Sequence, residues 1–197
     1  MNPSPSKEIK MRKIVLTEEE IHSICKLIGQ QISTRYRFND HPPVLVGVMK
    51  GAVPFLMDLV QEIDIPLQYD FVQVSSYNGT ESTGTVVLKS DVTLDIRDRD
   101  IIIVEDIVDS GISMVYLVDH LQKKYQPRSI VTLALLDKKC NRKVPFELDY
   151  AGKEVGEGFL MGYGLDYHDL YRNTKYVFIP DQEEIDSWNK ILNLPME

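Results

Sequence analysis

The chain has 197 residues, 43% of them hydrophobic, with a net charge of -8 and a sequence pI near 5.1. That size suits one globular domain with a sizeable core. The acidic balance argues against a general binder of nucleic acid or of anionic membranes.

The Ser/Pro-containing start reads as a mobile tail over residues 1–10, ahead of a single domain over 11–197. It lacks the apolar core of a signal peptide, and no apolar run approaches the ~20 residues of a membrane span. The expected location is cytoplasmic. Cys25 and Cys140 lie far apart, outside any metal-spacing motif, and read as reduced thiols.

Thr17-x-x-Glu20 forms a capping box, and Ile21, Ile24, Cys25, Ile28 and Ile32 then recur at helical spacing. "VLVGVM" is a short apolar strand, and "KGAVPFLMDLVQEI" a tight turn into a helix. "LQYDFVQVSSY" is a strand, "SSYNGTESTGT" a polar loop, and "VVLKSDV" a candidate returning strand. "IIIVE" shows no polar alternation, as expected of a strand buried on both faces. "GISMVYLVDHLQKKY" is a helix and "SIVTLALLD" another buried strand, after which periodicity weakens. Strands alternating with helices imply an α/β fold with a mostly parallel central sheet. Ligands of such sheets bind at the carboxyl ends of the strands, where "KG", "EDIVDSGIS" and "DKK" should gather.

The second of these stretches carries the most chemistry. Ser110, Gly111 and Ser113 open a helix whose first backbone N–H groups are unpaired, and glycine allows close approach. That combination makes a phosphate cradle. Glu105 and Asp106 supply hard oxygens for a divalent cation or for sugar hydroxyls, and Asp109 stands at the mouth as a candidate base. The expected ligand is phosphorylated, rich in hydroxyls and metal-bound. "GEGFLM" fails as a dinucleotide fingerprint because Met161 replaces the third glycine, and no GxxxxGK[ST] occurs. The four histidines show no metal spacing.

Glu-Asp-x-x-Asp-Ser-Gly-x-Ser after four aliphatic residues resembles the phosphoribosyl-diphosphate (PRPP) signature of the type I phosphoribosyltransferase family. "VGVMKGAVPF", "SSYNGTESTG", "LLDKK" and "GFLMGYGLDYHDLYRN" extend the resemblance over residues 44–180, toward the family's hypoxanthine-guanine branch. Ile112 stands where several members carry lysine. The resemblance implies a hood lobe from about residues 145–197 plus an N-terminal strand. It implies that Lys50, Gly51 and Arg172 bind diphosphate and that Ser76 and Tyr77 belong to a lid loop. Glu105, Asp106, Asp109, Ser110, Gly111, Ile112 and Ser113 would hold ribose and the 5′-phosphate. Lys138, Phe159, Leu160 and Asp166 would bind the purine. Mg²⁺ would be held by Glu105, Asp106 and Asp166, and Asp109 would take the purine N7 proton. The implied partners are PRPP, hypoxanthine and guanine, with no nucleic acid or membrane, in a homodimer or homotetramer. A xanthine-preferring enzyme and a non-catalytic PRPP- or nucleotide-binding regulator of the same fold are the alternatives.

Overall fold

Thr17 caps the first helix as its spacing requires: its hydroxyl accepts from the Glu20 amide at 3.2 Å, and the Glu20 carboxylate accepts from the Thr17 amide at 2.8 Å. In the computed structural model, which describes residues 12–76 and 86–195, that helix is α1, Glu18–Tyr36. It follows a short strand, β1 (Lys13–Leu16). Then come β2 (Val44–Met49), α2 (Val53–Gln61), β3 (Gln68–Ser76), β4 (Val86–Ser90), β5 (Asp100–Val108), α3 (Ile112–Tyr125) and β6 (Ser129–Asp137). A 3₁₀ turn at Lys139–Asn141 leads to β7 (Tyr150–Glu154), β8 (Val177–Ile179) and α4 (Gln182–Leu192).

The six-stranded sheet has the order β4-β3-β2-β5-β6-β7, and every neighbouring pair is parallel except β3–β4. The uniform run "IIIV" has a direct cause. Ile102 and Val104 pack under α1 and α2 with Ile28, Ile32, Leu56 and Leu59. Ile101 and Ile103 pack under α3 with Met114, Leu117 and Leu121. Successive side chains of a strand point to opposite faces, so a sheet covered on both sides has no polar positions to alternate.

The chain runs from β2 outward to β3, then returns to place β5 on the other side of β2 and continues to β6. The crevice between the ends of β2 and β5 is therefore a topological switch point, the place where open α/β sheets bind ligands.

A second, two-stranded sheet pairs β1 with β8 in antiparallel register. Met161, Phe178 and Trp188 form a small core beneath it, with Tyr167, Tyr171 and Tyr176 packed around. Residues 150–154, inside the segment expected to start the hood, instead form β7 and pair with β6 in the large sheet. The tail and the lid residues from Tyr77 onward lie outside the described residues; Ser76 is the last residue of β3.

Candidate active site

The turn after β2 and the end of β5 are in direct contact, and glycine makes this possible. A Cβ on Gly51 would lie 1.9 Å from Asp106 Oδ2. On the other side, a Cβ on Gly164 would lie 1.9 Å from the Gly51 carbonyl oxygen, and Gly164 has φ +99°. Asp106, Gly51 and Gly164 thus stack from the sheet up into the loops of the small lobe. The cis peptide bond described joins Met49 to Lys50, one bond before the Lys-Gly peptide.

β5 does not stop at the acids. It continues through Glu105 and Asp106 to Val108, with Glu105 opposite Ala134 and Val108 opposite Asp137. Both acidic side chains are buried, at 8% and 9% exposure. Glu105 accepts the Asp106 amide at 3.1 Å, and Asp106 accepts the Ile107 amide at 2.8 Å. No described residue forms an ion pair with either acid. Burial pushes both carboxyls above the ordinary range, Glu105 furthest because Asp106 adds like-charge repulsion. Arg172 pulls Asp106 weakly the other way.

Among the described residues, no group of three or more His, Cys, Asp or Glu forms a metal cage. A buried pair of carboxylates without a cation is nevertheless a fit for Mg²⁺. That ion keeps several waters and takes one or two carboxylates plus substrate phosphates.

Past Val108 the chain bends at Asp109 and Ser110, and Gly111 caps α3 with φ +81°. The N-cap residue has no side chain to cap the helix start, and the Ile112 amide donates a long hydrogen bond to Ser110 Oγ at 3.4 Å. A cavity of about 160 Å³ lies over this loop, lined by Glu105, Asp106, Asp109, Ser110, Gly111 and Ser113. The Asp109 side chain is half exposed; its Oδ1 is buried without a hydrogen-bond partner, and its Oδ2 is 3.9 Å from Lys138 Nζ.

The loop is held from behind by Arg142, a residue that no motif in the sequence marks. Its Nη1 donates to the Val108 carbonyl at 2.9 Å and to the Asp109 carbonyl at 2.7 Å, and its Nη2 pairs with Asp137. The Lys143 amide donates to the Ser110 carbonyl at 2.9 Å. Arg142 Cδ also fills the space beside Gly111, 2.9 Å from where a Cβ would sit. In the run "DKKCNRK" this arginine looks like one more solvated cation. Its partners lie 34 and 33 residues upstream, beyond any local pattern.

Lys138 leaves the end of β6 and donates to the Gly158 carbonyl at 2.8 Å. Phe159, next in chain to Gly158, is 46% exposed and meets Tyr167 edge-on with ring centroids 5.9 Å apart. Leu160 is buried. Asp166 pairs with Arg172 at 2.7 Å and accepts the Asp169 amide at 2.7 Å. Arg172 also donates to the Gly164 carbonyl at 2.6 Å, fixing the loop that rests on Gly51. Lys50 reaches across to Asp169 at 3.0 Å. One sheet edge therefore gathers Lys50, Gly51, Asp106, Asp109 and Lys138, and the small lobe lowers Asp166 and Arg172 onto it.

A family model described as "Phosphoribosyl transferase domain" matches residues 13–168. The chain is 42% identical over 168 residues to the hypoxanthine-guanine phosphoribosyltransferase of Bacillus subtilis, covering 85% of this chain and 92% of that protein. It is similar in structure to a hypoxanthine phosphoribosyltransferase from Staphylococcus aureus, with TM-score 0.81 and 40% identity over 87% of this chain and 92% of that one. A Trypanosoma cruzi hypoxanthine phosphoribosyl transferase gives TM-score 0.84 at 33% identity, over 94% of this chain and 100% of that one. The acidic strand end, the glycine contact and these similarities agree: the chain belongs to the phosphoribosyl transferase family, with the type I fold.

Proposed function

We propose that this chain is a purine-salvage enzyme. It transfers the 5-phosphoribosyl group of PRPP to N9 of hypoxanthine or guanine, giving IMP or GMP and diphosphate. The observation that carries this reading is the contact of Asp106 with Gly51, which joins the acidic strand end to the Lys-Gly turn. The names of the B. subtilis and S. aureus relatives support the choice of base over a xanthine-preferring enzyme or a non-catalytic regulator.

The chemical problem is to make C1′ of the sugar electrophilic while denying it to water. Lys50 and Arg172 would draw charge onto the departing diphosphate. The Ser110, Gly111, Ile112 and Ser113 amides and hydroxyls would grip the 5′-phosphate and convert its binding energy into orientation. Glu105 and Asp106 would hold the ribose hydroxyls. Glu105 and Asp106, with Asp166 as a further candidate ligand, would hold Mg²⁺, which would neutralise charge on the leaving group. Asp109, half exposed at the mouth of the loop, would take the N7 proton as N9 attacks. Lys138 donates hydrogen bonds only, which suits the O6 acceptor of a 6-oxopurine. Phe159 would stack on the ring, with the Leu160 backbone at its edge. Ser76 and Tyr77 would belong to a lid that excludes water.

Cytoplasmic placement and assembly as a homodimer or homotetramer belong to the same proposal. No helix among the described residues is long and apolar enough to cross a membrane.

The test is diphosphate release from PRPP plus hypoxanthine, with Mg²⁺ and with excess chelator. Release that requires both substrates and stops in chelator is the expected outcome. Full activity in chelator would remove Glu105, Asp106 and Asp166 from the metal role.

A further inference from the structure

Asp169 plays no part in the scheme above, yet it stands at its centre. It lies at the tip of a tight turn in which Tyr167 and Leu170 exchange backbone hydrogen bonds of 3.3 and 3.0 Å. The two residues between them, His168 and Asp169, both have positive φ, 49° and 65°. Aspartate tolerates this region better than most residues, but neither position is a glycine. The turn holds the Asp169 carboxylate over the ends of two other segments. A single oxygen, Oδ1, accepts from Lys50 Nζ at 3.0 Å and from Arg172 Nη2 at 2.9 Å. Hydrogen bonds from Arg172 and then Lys50 hold this carboxyl below the ordinary range.

We propose that Asp169 is a built-in placeholder for the diphosphate group. Its oxygen bridges Lys50 and Arg172, which the functional reading assigns to diphosphate, and an incoming diphosphate must displace it. The proposal rests on that reading of the two cations. A carboxylate oxygen between two cations presents them with the same charge-assisted contacts as a phosphoryl oxygen. At 63% exposure the side chain can swing into solvent without leaving a buried charge. Asp169 therefore competes with diphosphate, lowers affinity for it, and favours its departure after transfer. This is a specificity and release role, exercised through the two cations.

The experiment is calorimetric titration of magnesium diphosphate into the full chain, into Asp169→Asn, into Lys50→Gln and into the double variant. Losing one weak, exposed competitor from two cations should tighten diphosphate binding in Asp169→Asn by about three- to tenfold. Lys50→Gln should weaken it, and the gain from Asp169→Asn should shrink in the double variant because one of the two bridged cations is gone. A merely structural Asp169 would not tighten a ligand. Unchanged or weaker binding in Asp169→Asn, with Lys50→Gln weakened, overturns the placeholder alone. Unchanged binding in Lys50→Gln instead overturns the diphosphate assignment and the placeholder with it.

Discussion

The two ends of β5 treat buried carboxylates in opposite ways. At the amino end, Asp100 is 5% exposed and fully answered: Arg128 Nε donates to it at 3.0 Å, Ser129 Oγ at 2.6 Å, and Asn39 joins them. The Arg128 guanidinium holds its carboxyl below the ordinary range. At the carboxyl end, Glu105 and Asp106 are as deeply buried, have no ion-pair partner among the described residues, and are pushed up by burial. The same strand, one turn of chemistry apart, shows a stabilising acid and a destabilising pair. Proteins keep the second kind where ligands must be bound, because a group already satisfied by the protein has nothing left to offer. The amino edge of the sheet is built for the fold, and the carboxyl edge for chemistry.

The largest effect that sharpens this contrast is at Asp109. Asp109→Asn keeps shape and removes the base. Loss of a general base typically costs about 10²–10⁴-fold in kcat. PRPP binding should survive, since the backbone cradle stays, and thermal stability should change little, since the side chain is half exposed and its pairing with Lys138 spans 3.9 Å. Steady-state kinetics and a PRPP titration check both. A near-normal kcat would place the base elsewhere.

Arg142→Met breaks the contrast, because Arg142 serves both fold and site. It leaves Asp137, whose side chain is 3% exposed, without its guanidinium partner. Removing one partner of a buried pair costs about 3–5 kcal/mol. For a chain of this size the melting temperature should fall by about 6–20 °C. The Asp109 carbonyl loses the Arg142 donor and the Val108 carbonyl keeps only the Lys138 amide, so the KM for PRPP should rise about tenfold or more, with a smaller change for hypoxanthine. Equal rises for both substrates would mean that Arg142 supports the whole domain and not the phosphate loop in particular.

What could be read in the sequence follows the same division. The capping box at Thr17, the doubly buried β5, the helix start at Ser110–Ser113 and the mostly parallel order of the sheet are all local or periodic signals, and each has its counterpart in the structure. Two features misled. β5 runs on to Val108 because Glu105 and Ile107 keep their ladder partners Ala134 and Leu136, and an acidic pair does not end a strand whose backbone is still paired. β7 and β8 are only five and three residues long, too short for periodicity to show. Arg142 and Asp169 were illegible for a third reason: their roles depend on contacts spanning 33 and 119 residues. The small lobe adds turns at His168, Asp169 and Tyr171, each with positive φ and none a glycine, so no glycine announced them.

The contrast between the two ends of β5 is tested most directly by comparing Asp100→Asn with Glu105→Gln in metal-free buffer by thermal melting from pH 4 to pH 8. Asp100 titrates lower in the fold than in the unfolded chain. Its stabilisation is therefore present above an unfolded pKa of about 4 and lost as pH falls through the folded value. Glu105 titrates higher in the fold. Its carboxyl favours the fold below about pH 4, and that advantage is lost as pH rises through the folded value, with ionisation of the unfolded chain penalising folding in between. At pH 8, Asp100→Asn should lower the melting temperature by about 3–6 °C, and Glu105→Gln should raise it by about 2–4 °C or more. The Glu105→Gln difference should shrink toward pH 4, while the Asp100→Asn difference should persist over this range and fall away only below it. A lower melting temperature for Glu105→Gln at pH 8 would contradict the account, because Glu105 would then stabilise the fold as Asp100 does.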